Sequence, residues 1–347
     1  MKPTITYEEI LKINETRKIT FVDVRSPKEF QLSTIPNAVN IPVLDNDARE
    51  KVGLLYVEGK IEEAKKYGVE WVSSQLPEMY SRYQEILKDS DEIVIFCSRG
   101  GMRSNSIFSL LKALGLPVSR MCGGYKAYRR YVNEHLDAQL EKASFVTLYG
   151  LSGSGKTEIL YELSDRGAKV LDLEGCANHR GSLLGSVGLS EPHSQKMFES
   201  LLFEISRDWK EGEVVFTEGE SKRIGKVVMP VSLVSAIQKG KKVTIEAPLE
   251  KRIAQIHKDY MKGNHLEELI DSLESLKVYI NKEKIIEFQD QVRKGDVDSV
   301  IKSLLLSYYD PRYNHHQSKR DYIFVNHNPK ETAEKILKWH QQKEENE

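Results

Sequence analysis

The sequence predicts two α/β domains in series, each a mostly parallel sheet covered by helices, with a helical insertion in the second. Three observations carry this. The length of 347 residues exceeds what one hydrophobic core usually supports. Short apolar runs alternate with longer amphipathic stretches, the pattern of strand–helix units that feed a parallel sheet. Each half also contains a glycine-bearing loop that follows an apolar strand and precedes a helix.

In the first half, residues 19–24 (ITFVDV), 92–97 (EIVIFC) and 118–122 (VSRMC) suit buried parallel strands. Residues 60–88 have helical length and polarity, and 102–115 carry an apolar helical stripe closed by a glycine. A polar helical stretch, 125–143, leads into the next strand. The boundary is therefore expected near residue 140, giving domains 1–140 and 141–347. The second half has strands at 145–149, 169–173, 213–217, 242–246 and 322–325, with an almost wholly helical insertion at about 249–307. There is no repeat or low-complexity stretch, and the tail QQKEENE is expected to fray.

Composition narrows the class. Hydrophobic residues at 39% and charged residues at 30% describe an ordinary globular protein. No apolar run approaches the roughly 20 residues of a membrane span, and the start MKPTITYEEI lacks the apolar core of a signal peptide. The three cysteines, Cys97, Cys122 and Cys176, form no CxxC pair, so a reducing cytoplasm is expected and a lone cysteine there can be a nucleophile. The net charge of −1 argues against a uniformly basic surface. Locally, Arg99, Arg103, Lys112, Arg120, Lys126, Arg129, Arg130 and Lys142 outnumber Glu134, Asp137 and Glu141. That stretch is either a solvated helix face or a patch that meets an anion.

Cys97 ends an apolar strand and is followed by Ser98, Arg99, Gly100, Gly101, Met102, Arg103 and Ser104. The glycines let the backbone curl so that successive N–H groups face one bowl. The next helix adds the positive end of its dipole, and Arg99 and Arg103 add full charges. Such surroundings lower a thiol pKa and hold an oxyanion beside it. A thiolate there can attack sulfur or selenium and carry it. A buried structural cysteine is the common alternative, and a phosphatase uses a similar cysteine-to-arginine loop. Cys122 and Cys176 lack such surroundings and read as core residues.

The neighbouring segments resemble the rhodanese family. They are Asp23-Val24-Arg25, Ser26-Pro27-Lys28-Glu29-Phe30, the run from Ile35 to Pro42, the Cys97 loop, and Gly123-Gly124-Tyr125. The resemblance covers most of residues 5–135. It implies a rhodanese-like fold, a chalcogen-accepting Cys97, and a chalcogen-anion loop of Ser98, Arg99, Gly100, Gly101, Arg103 and Ser104. Mainly structural roles follow for Asp23 and Arg25.

Residues 150–157, GLSGSGKT, fit G-x-x-x-x-G-K-[ST] between a strand and a helix. The N–H groups of Gly150, Ser152, Gly153, Ser154 and Gly155 cradle phosphate, Lys156 neutralises it, and Thr157 is placed to ligate Mg²⁺. This makes the second domain P-loop NTPase-like. ATP hydrolysis needs a carboxylate at a second strand end. Glu218, Glu220 and Asp172 are the candidates, none in the orthodox strand-ending form, so the diphosphate of another substrate fits as well. Strand ends gather on the phosphate side of a parallel sheet. This makes Glu174, Asn178, His179, Arg180, Glu218, Glu220, Ser221 and Arg223 candidate second-substrate residues, with helix capping as the alternative. The run from Tyr308 to Tyr313 (YYDPRY) either stacks on a base or caps the insertion.

Taken together, DVRSPKEF, IPNAVNIP, CSRGGMRS, GGYKAYRR, GLSGSGKTEIL, DLEGCANHRGS and ESKRIG resemble the tRNA 2-selenouridine synthase family. The resemblance implies a transferase that turns wobble 2-thiouridine into 2-selenouridine. Geranyl diphosphate first alkylates the sulfur, its diphosphate gripped by the phosphate loop. Selenium from selenophosphate, carried on Cys97 as S-selanylcysteine, then replaces the geranylthio group. It also implies tRNA as partner, a selenophosphate-supplying enzyme nearby, and no tightly bound cofactor; Thr157 of the phosphate loop is the place where Mg²⁺ would bind. Two readings compete. One is a P-loop kinase or ATPase with a regulatory rhodanese module. The other is a non-enzymatic sulfur carrier or RNA-binding protein.

Overall fold

The computed structural model describes residues 4–182, 184–261, 265–313 and 322–344. The chain divides into two compact units, Met1–His135 with Glu199–Glu204, and Leu136–Phe198 with Ile205–Glu347.

The first unit runs β1 (Thr4–Ile5), α1 (Tyr7–Asn14), β2 (Ile19–Asp23), α2 (Pro27–Leu32), β3 (Val39–Asn40), α3 (Asn46–Val57), α4 (Ile61–Ile86), β4 (Glu92–Phe96), α5 (Met102–Ala113), β5 (Val118–Met121) and α6 (Gly124–Leu140). The division between the units falls inside α6. The strands form one parallel sheet in the order β1-β5-β4-β2-β3. β4 is buried at every position, as expected of a central parallel strand covered on both faces. Asp23 pairs in register with Phe96, so the chain leaves β2 and β4 at the same end of the sheet. There α2 starts with Pro27 at its first turn, and the Ser26 N–H donates to Glu29 Oε2 at 3.2 Å. The sequence reading missed β1, β3, α1, α2 and α3. Two-residue strands have no period to detect, and α3 gathers its apolar residues at its C-terminal end (LLYV) instead of in a helical stripe.

The second unit runs β6 (Ser144–Tyr149), α7 (Lys156–Asp165), β7 (Lys169–Leu171), α8 (Leu173–Ala177), α9 (Gln195–Ser206), β8 (Val214–Glu218), β9 (Arg223–Ile224), β10 (Val227–Val228), α10 (Val231–Lys239) and β11 (Lys241–Glu246). It continues with α11 (Leu249–Tyr260), α12 (Leu266–Leu273), α13 (Lys282–Arg293), α14 (Val297–Leu304), α15 (Asp310–Tyr313), β12 (Tyr322–Val325) and α16 (Pro329–Glu344). Five strands form a second parallel sheet, β12-β11-β6-β8-β7, while β9 and β10 pair as a small antiparallel ribbon. β7 stops two residues before the predicted end at 173. The Asp172 carboxylate accepts the Gly175 N–H at 2.7 Å and so starts α8 instead. α16 continues to Glu344, into the tail expected to fray. Residues 345–347 lie outside the described ones.

The sheet core gathers Val146, Leu148, Ile159, Leu163, Phe216 and Ile336. The insertion builds a separate core around Leu273, Leu276, Ile285, Phe288, Val292 and Leu304. Phe288 is 1% exposed, so Phe288→Ala is expected to cost about 3–5 kcal/mol. Urea unfolding of both chains measures this, and a loss below about 1 kcal/mol would mean that the insertion core collapses around the gap.

Candidate functional site

Cys97 follows the last residue of β4 and is 3% exposed. Its Sγ lies 3.2 Å from Ser104 Oγ, which is also 3.2 Å from the Gly101 carbonyl oxygen. The hydroxyl has one proton to give, and it turns to the sulfur when the thiol ionises. Burial pushes the Cys97 thiol up. The Ser104 hydroxyl, the N–H groups of Ser104 and Arg99, and the Arg103 charge outweigh burial and leave it below its ordinary value. Arg103 is held by Glu29 through contacts of 2.5 and 3.3 Å. Burial works against the Glu29 charge as well, but Arg103, the Ser26 N–H and Arg49 keep its carboxyl below the usual range.

Backbone packing sets the shape of this loop. Gly100 has φ +68°. A Cβ at Gly124 would lie 2.2 Å from the Cys97 carbonyl oxygen and 2.5 Å from the Gly100 nitrogen. The Tyr125 N–H donates to the Cys97 carbonyl at 2.9 Å and the Lys126 N–H to that of Ser98 at 3.0 Å. Arg120 Nη1 donates to the Gly100 carbonyl at 2.7 Å. Asp23 and Arg25 are buried against each other at 2.6 Å, with Arg25 also donating to the Ser33 carbonyl and lying 4.2 Å over the Tyr125 ring.

Two expectations need correction in this unit. Cys122 is exposed, while Cys176 is buried as expected. β5 ends at Met121, so Cys122 already lies in the turn to α6. Arg129 points inward, donating to Ser200 Oγ at 2.9 Å and pairing with Glu199. Lys126 and Arg130 remain exposed.

The second site is the turn between β6 and α7. Gly153 and Gly155 have φ +77° and +85°, and a Cβ at Gly150 would come 2.4 Å from the Ile245 carbonyl oxygen. Buried Arg252 donates through Nε to the Ser152 carbonyl at 2.9 Å and grips Asp310 with two further bonds of 2.9 and 2.6 Å. Asn326 Nδ2 donates to the Ser154 carbonyl at 2.8 Å, and Thr332 Oγ1 donates to Asn326 Oδ1 at 3.0 Å. Lys156 Nζ donates to the Gly150 carbonyl at 3.0 Å.

Glu218 ends β8, and its Oε1 accepts the Glu174 N–H at 2.7 Å. Burial, with Glu220 adding repulsion and Lys156 opposing, pushes the Glu174 carboxyl up to about 8. Burial and Asp172 push Glu218 up, and burial also raises Glu220. Glu174, Glu220, Arg180 and Thr157 share a narrow slot of about 110 Å³ with the glycine loop. Its far wall is apolar, built from Leu269 and Leu273 of α12 and Val297, Val300, Ile301 and Leu304 of α14.

Both halves match known families. Residues 6–131 match the rhodanese-like domain, and residues 143–294 match the tRNA 2-selenouridine synthase AAA domain. A tRNA 2-selenouridine synthase of Hydrogenovibrio crunogenus is 30% identical over 334 residues, covering 88% of this chain and 91% of that protein. One of Pseudomonas syringae is 31% identical over 324 residues, covering 85% and 87%. The chain belongs to the tRNA 2-selenouridine synthase family. It is thus an enzyme of the transferase type, with the expected rhodanese-like and P-loop-type α/β domains. The solved N-terminal domain of a Clostridium difficile protein is 42% identical, covering 37% of this chain and 98% of that one, with a TM-score of 0.36.

The structure sorts the polar residues predicted beyond the two loops. Glu174, Arg180 and Glu220 reach the slot. Arg180 is steadied there by the Val187 and Asp259 carbonyls at 2.6 and 3.1 Å. Asn178 caps α8 at φ +49° and donates to the Ser190 and Glu191 carbonyls, each at 3.0 Å. His179 Nδ1 accepts the Gly181 N–H at 3.1 Å, and Ser221 Oγ donates to the Arg223 carbonyl at 2.5 Å. Arg223 is exposed. In YYDPRY, Tyr308 joins the insertion core with Arg312 stacked 3.7 Å above it, and Tyr309 lines the slot. The Tyr313 side chain lies outside the described residues. The sequence reading missed Arg252 and Asn326, which have no motif around them.

Two expected outcomes follow. Ser104→Ala removes the proton donor to sulfur, so the pH midpoint of Cys97 alkylation by iodoacetamide should move up; an unmoved midpoint would refute the role given to Ser104. Glu174 has an ordinary value of 4.5 and is raised to about 8. Its neutral form therefore stabilises the fold fully below 4.5, and that contribution is lost as pH rises through about 8. Glu174→Gln should flatten the decline in unfolding free energy across this window, measured by urea titration at its two ends.

Proposed function

We propose that this chain makes 2-selenouridine at the wobble position of tRNA in two steps, one at each loop. The apolar wall facing the phosphate loop carries the reading. A nucleotide would set a polar ribose and base against Leu273, Ile301 and Leu304, whereas geranyl diphosphate offers them hydrocarbon. In the first step the sulfur of 2-thiouridine attacks the prenyl carbon. A C–S bond forms, the C–O bond breaks, diphosphate leaves, and uridine N3 gives up its proton. The Gly150–Lys156 turn and Arg180 hold the departing charge. A slot of about 110 Å³ takes the diphosphate and the start of the chain, so α12 and α14 part to seat the remainder.

Thr157 shares the slot with Glu174 and Glu220. The two carboxyls are raised in pKa by burial even with Lys156 opposing, and with the Thr157 hydroxyl they form an oxygen donor set that fits Mg²⁺. When bound, Mg²⁺ supplies further neutralisation of the diphosphate.

In the second step selenophosphate binds the amide bowl at Cys97, whose thiolate takes the phosphoryl group and releases selenide; water then frees the thiolate and phosphate, and the selenide displaces the geranylthio group from the nucleoside. Selenophosphate is labile, so a donor-synthesising enzyme is its natural source. Exposed Arg99, Lys126 and Arg130 supply cations for the anticodon arm. Among the described residues no helix is long and apolar enough to cross a membrane, and the cysteines are free. Both fit work in the cytoplasm.

The test gives each variant a thiolated anticodon stem-loop with geranyl diphosphate, then pre-geranylated RNA with selenophosphate. Lys156→Ala should alkylate at least about 10²-fold more slowly yet still convert pre-geranylated RNA. Cys97→Ser should do the reverse and accumulate S-geranyl RNA, because a hydroxyl is a far weaker nucleophile than a thiolate. Normal alkylation by the Lys156 variant, or selenation by the Cys97 variant, overturns the assignment.

A further inference from the structure

The amide bowl accounts for a small anion, but it does not account for the cleft beside it. This cleft, about 970 Å³, runs from Cys97 between α3, α4 and α5. Its walls include Val52, Tyr56, Val69, Val72, Met102 and Leu110. Val69 is 69% and Met102 60% exposed, so apolar side chains stand open to solvent beside a reactive sulfur. Arg49, Arg99 and Arg103 line the same cleft. α4 leaves it open at Gly68, where a Cβ would meet nothing within 4 Å.

We propose that this cleft seats the geranyl chain of the alkylated nucleoside while selenium displaces it. The inference rests on the two-step reading above. The prenyl chain is joined to C2 of the base through a single sulfur, so bringing C2 to Cys97 brings the chain there too. Unmodified RNA presents phosphates, riboses and base edges, none of which matches an apolar wall. An S-geranylated RNA presents both a hydrocarbon tail and phosphates, and the cleft presents both an apolar wall and guanidinium groups. Selenium enters from selenophosphate at the selenide level, with water taking up the phosphoryl group to give phosphate. It attacks C2, the C2–Se bond forms, and the C2–S bond breaks. Geranylthiolate leaves with the electron pair, takes a proton, and remains in the cleft until released. No oxidant or reductant is consumed. Seating the chain also makes the enzyme select the alkylated nucleoside over 2-thiouridine, which has nothing to place there.

The experiment supplies selenophosphate and anticodon stem-loops carrying S-methyl, S-butyl or S-geranyl 2-thiouridine, and reads kcat/KM by nucleoside mass spectrometry. In the wild type, kcat/KM should climb by up to about fourfold per methylene buried, and by at least tenfold from methyl to geranyl. Gly68→Phe places a ring in the open space on α4 and should abolish most of that climb. In the coupled two-step assay it should accumulate S-geranyl RNA, with Gly68→Ala intermediate or near wild type. A wild-type rate flat with chain length overturns the proposal, and this arm needs no variant to fold. Equal losses on the methyl and geranyl substrates in Gly68→Phe also overturn it, and point to RNA or protein docking in the cleft. Wild type that converts S-methyl but not S-geranyl RNA refutes the prenyl seat while leaving Cys97 chemistry intact. Failure on every alkylated RNA brings down the two-step reading itself.

Discussion

The Cys97 site depends on one close approach of backbone to backbone at Gly124. No side chain fits there, because a Cβ would sit 2.2 Å from the Cys97 carbonyl oxygen. With that gap closed, the amides of Tyr125 and Lys126 take up the carbonyls of Cys97 and Ser98. The loop carbonyls are thereby occupied on one side, and the amides of Arg99 and Ser104 turn to the sulfur on the other. Charge enters as a second layer: Glu29 fixes Arg103 and is itself fixed by the cap of α2. The lowered thiol pKa is the sum of these short-range contacts winning against burial.

The phosphate loop reaches a similar end by other means. Its carbonyls are bound by side chains from distant parts of the sequence, Arg252 at Ser152 and Asn326 at Ser154. A buried guanidinium is expensive to desolvate, and Asp310 offsets this by taking two of its N–H groups. Because Arg252 lies on α11, at the start of the insertion, the element that supplies the apolar wall also braces the loop.

Much of this was legible in the sequence, and the boundary of legibility has a physical basis. Both loops announce themselves because their chemistry needs consecutive residues, Cys97 to Ser104 and Gly150 to Thr157, so the pattern is local. The parallel sheets announce themselves through apolar runs such as EIVIF, buried at every position. Arg252 and Asn326 act across 100 and 172 residues of sequence, and no local pattern reports a partner that far away. Cys122 misled for the opposite reason: it adjoins an apolar strand and lies just past its end. The cleft at Cys97 was invisible because α3 contributes to it without an amphipathic signature, and an absence of side chain at Gly68 has no pattern at all.

The Asn326 anchor has a consequence for how the protein is made. The ribosome releases the glycine loop of the phosphate site about half a chain length before the amide that holds Ser154. The first sheet, β1 to β5, has all its strands by Met121, and the first unit needs only Glu199–Glu204 to be whole. Thiol chemistry is therefore available to a nascent chain well before phosphate chemistry. The braced phosphate loop is among the last features to be assembled, and a transcript or chain ending in the insertion leaves that loop without its Asn326 brace.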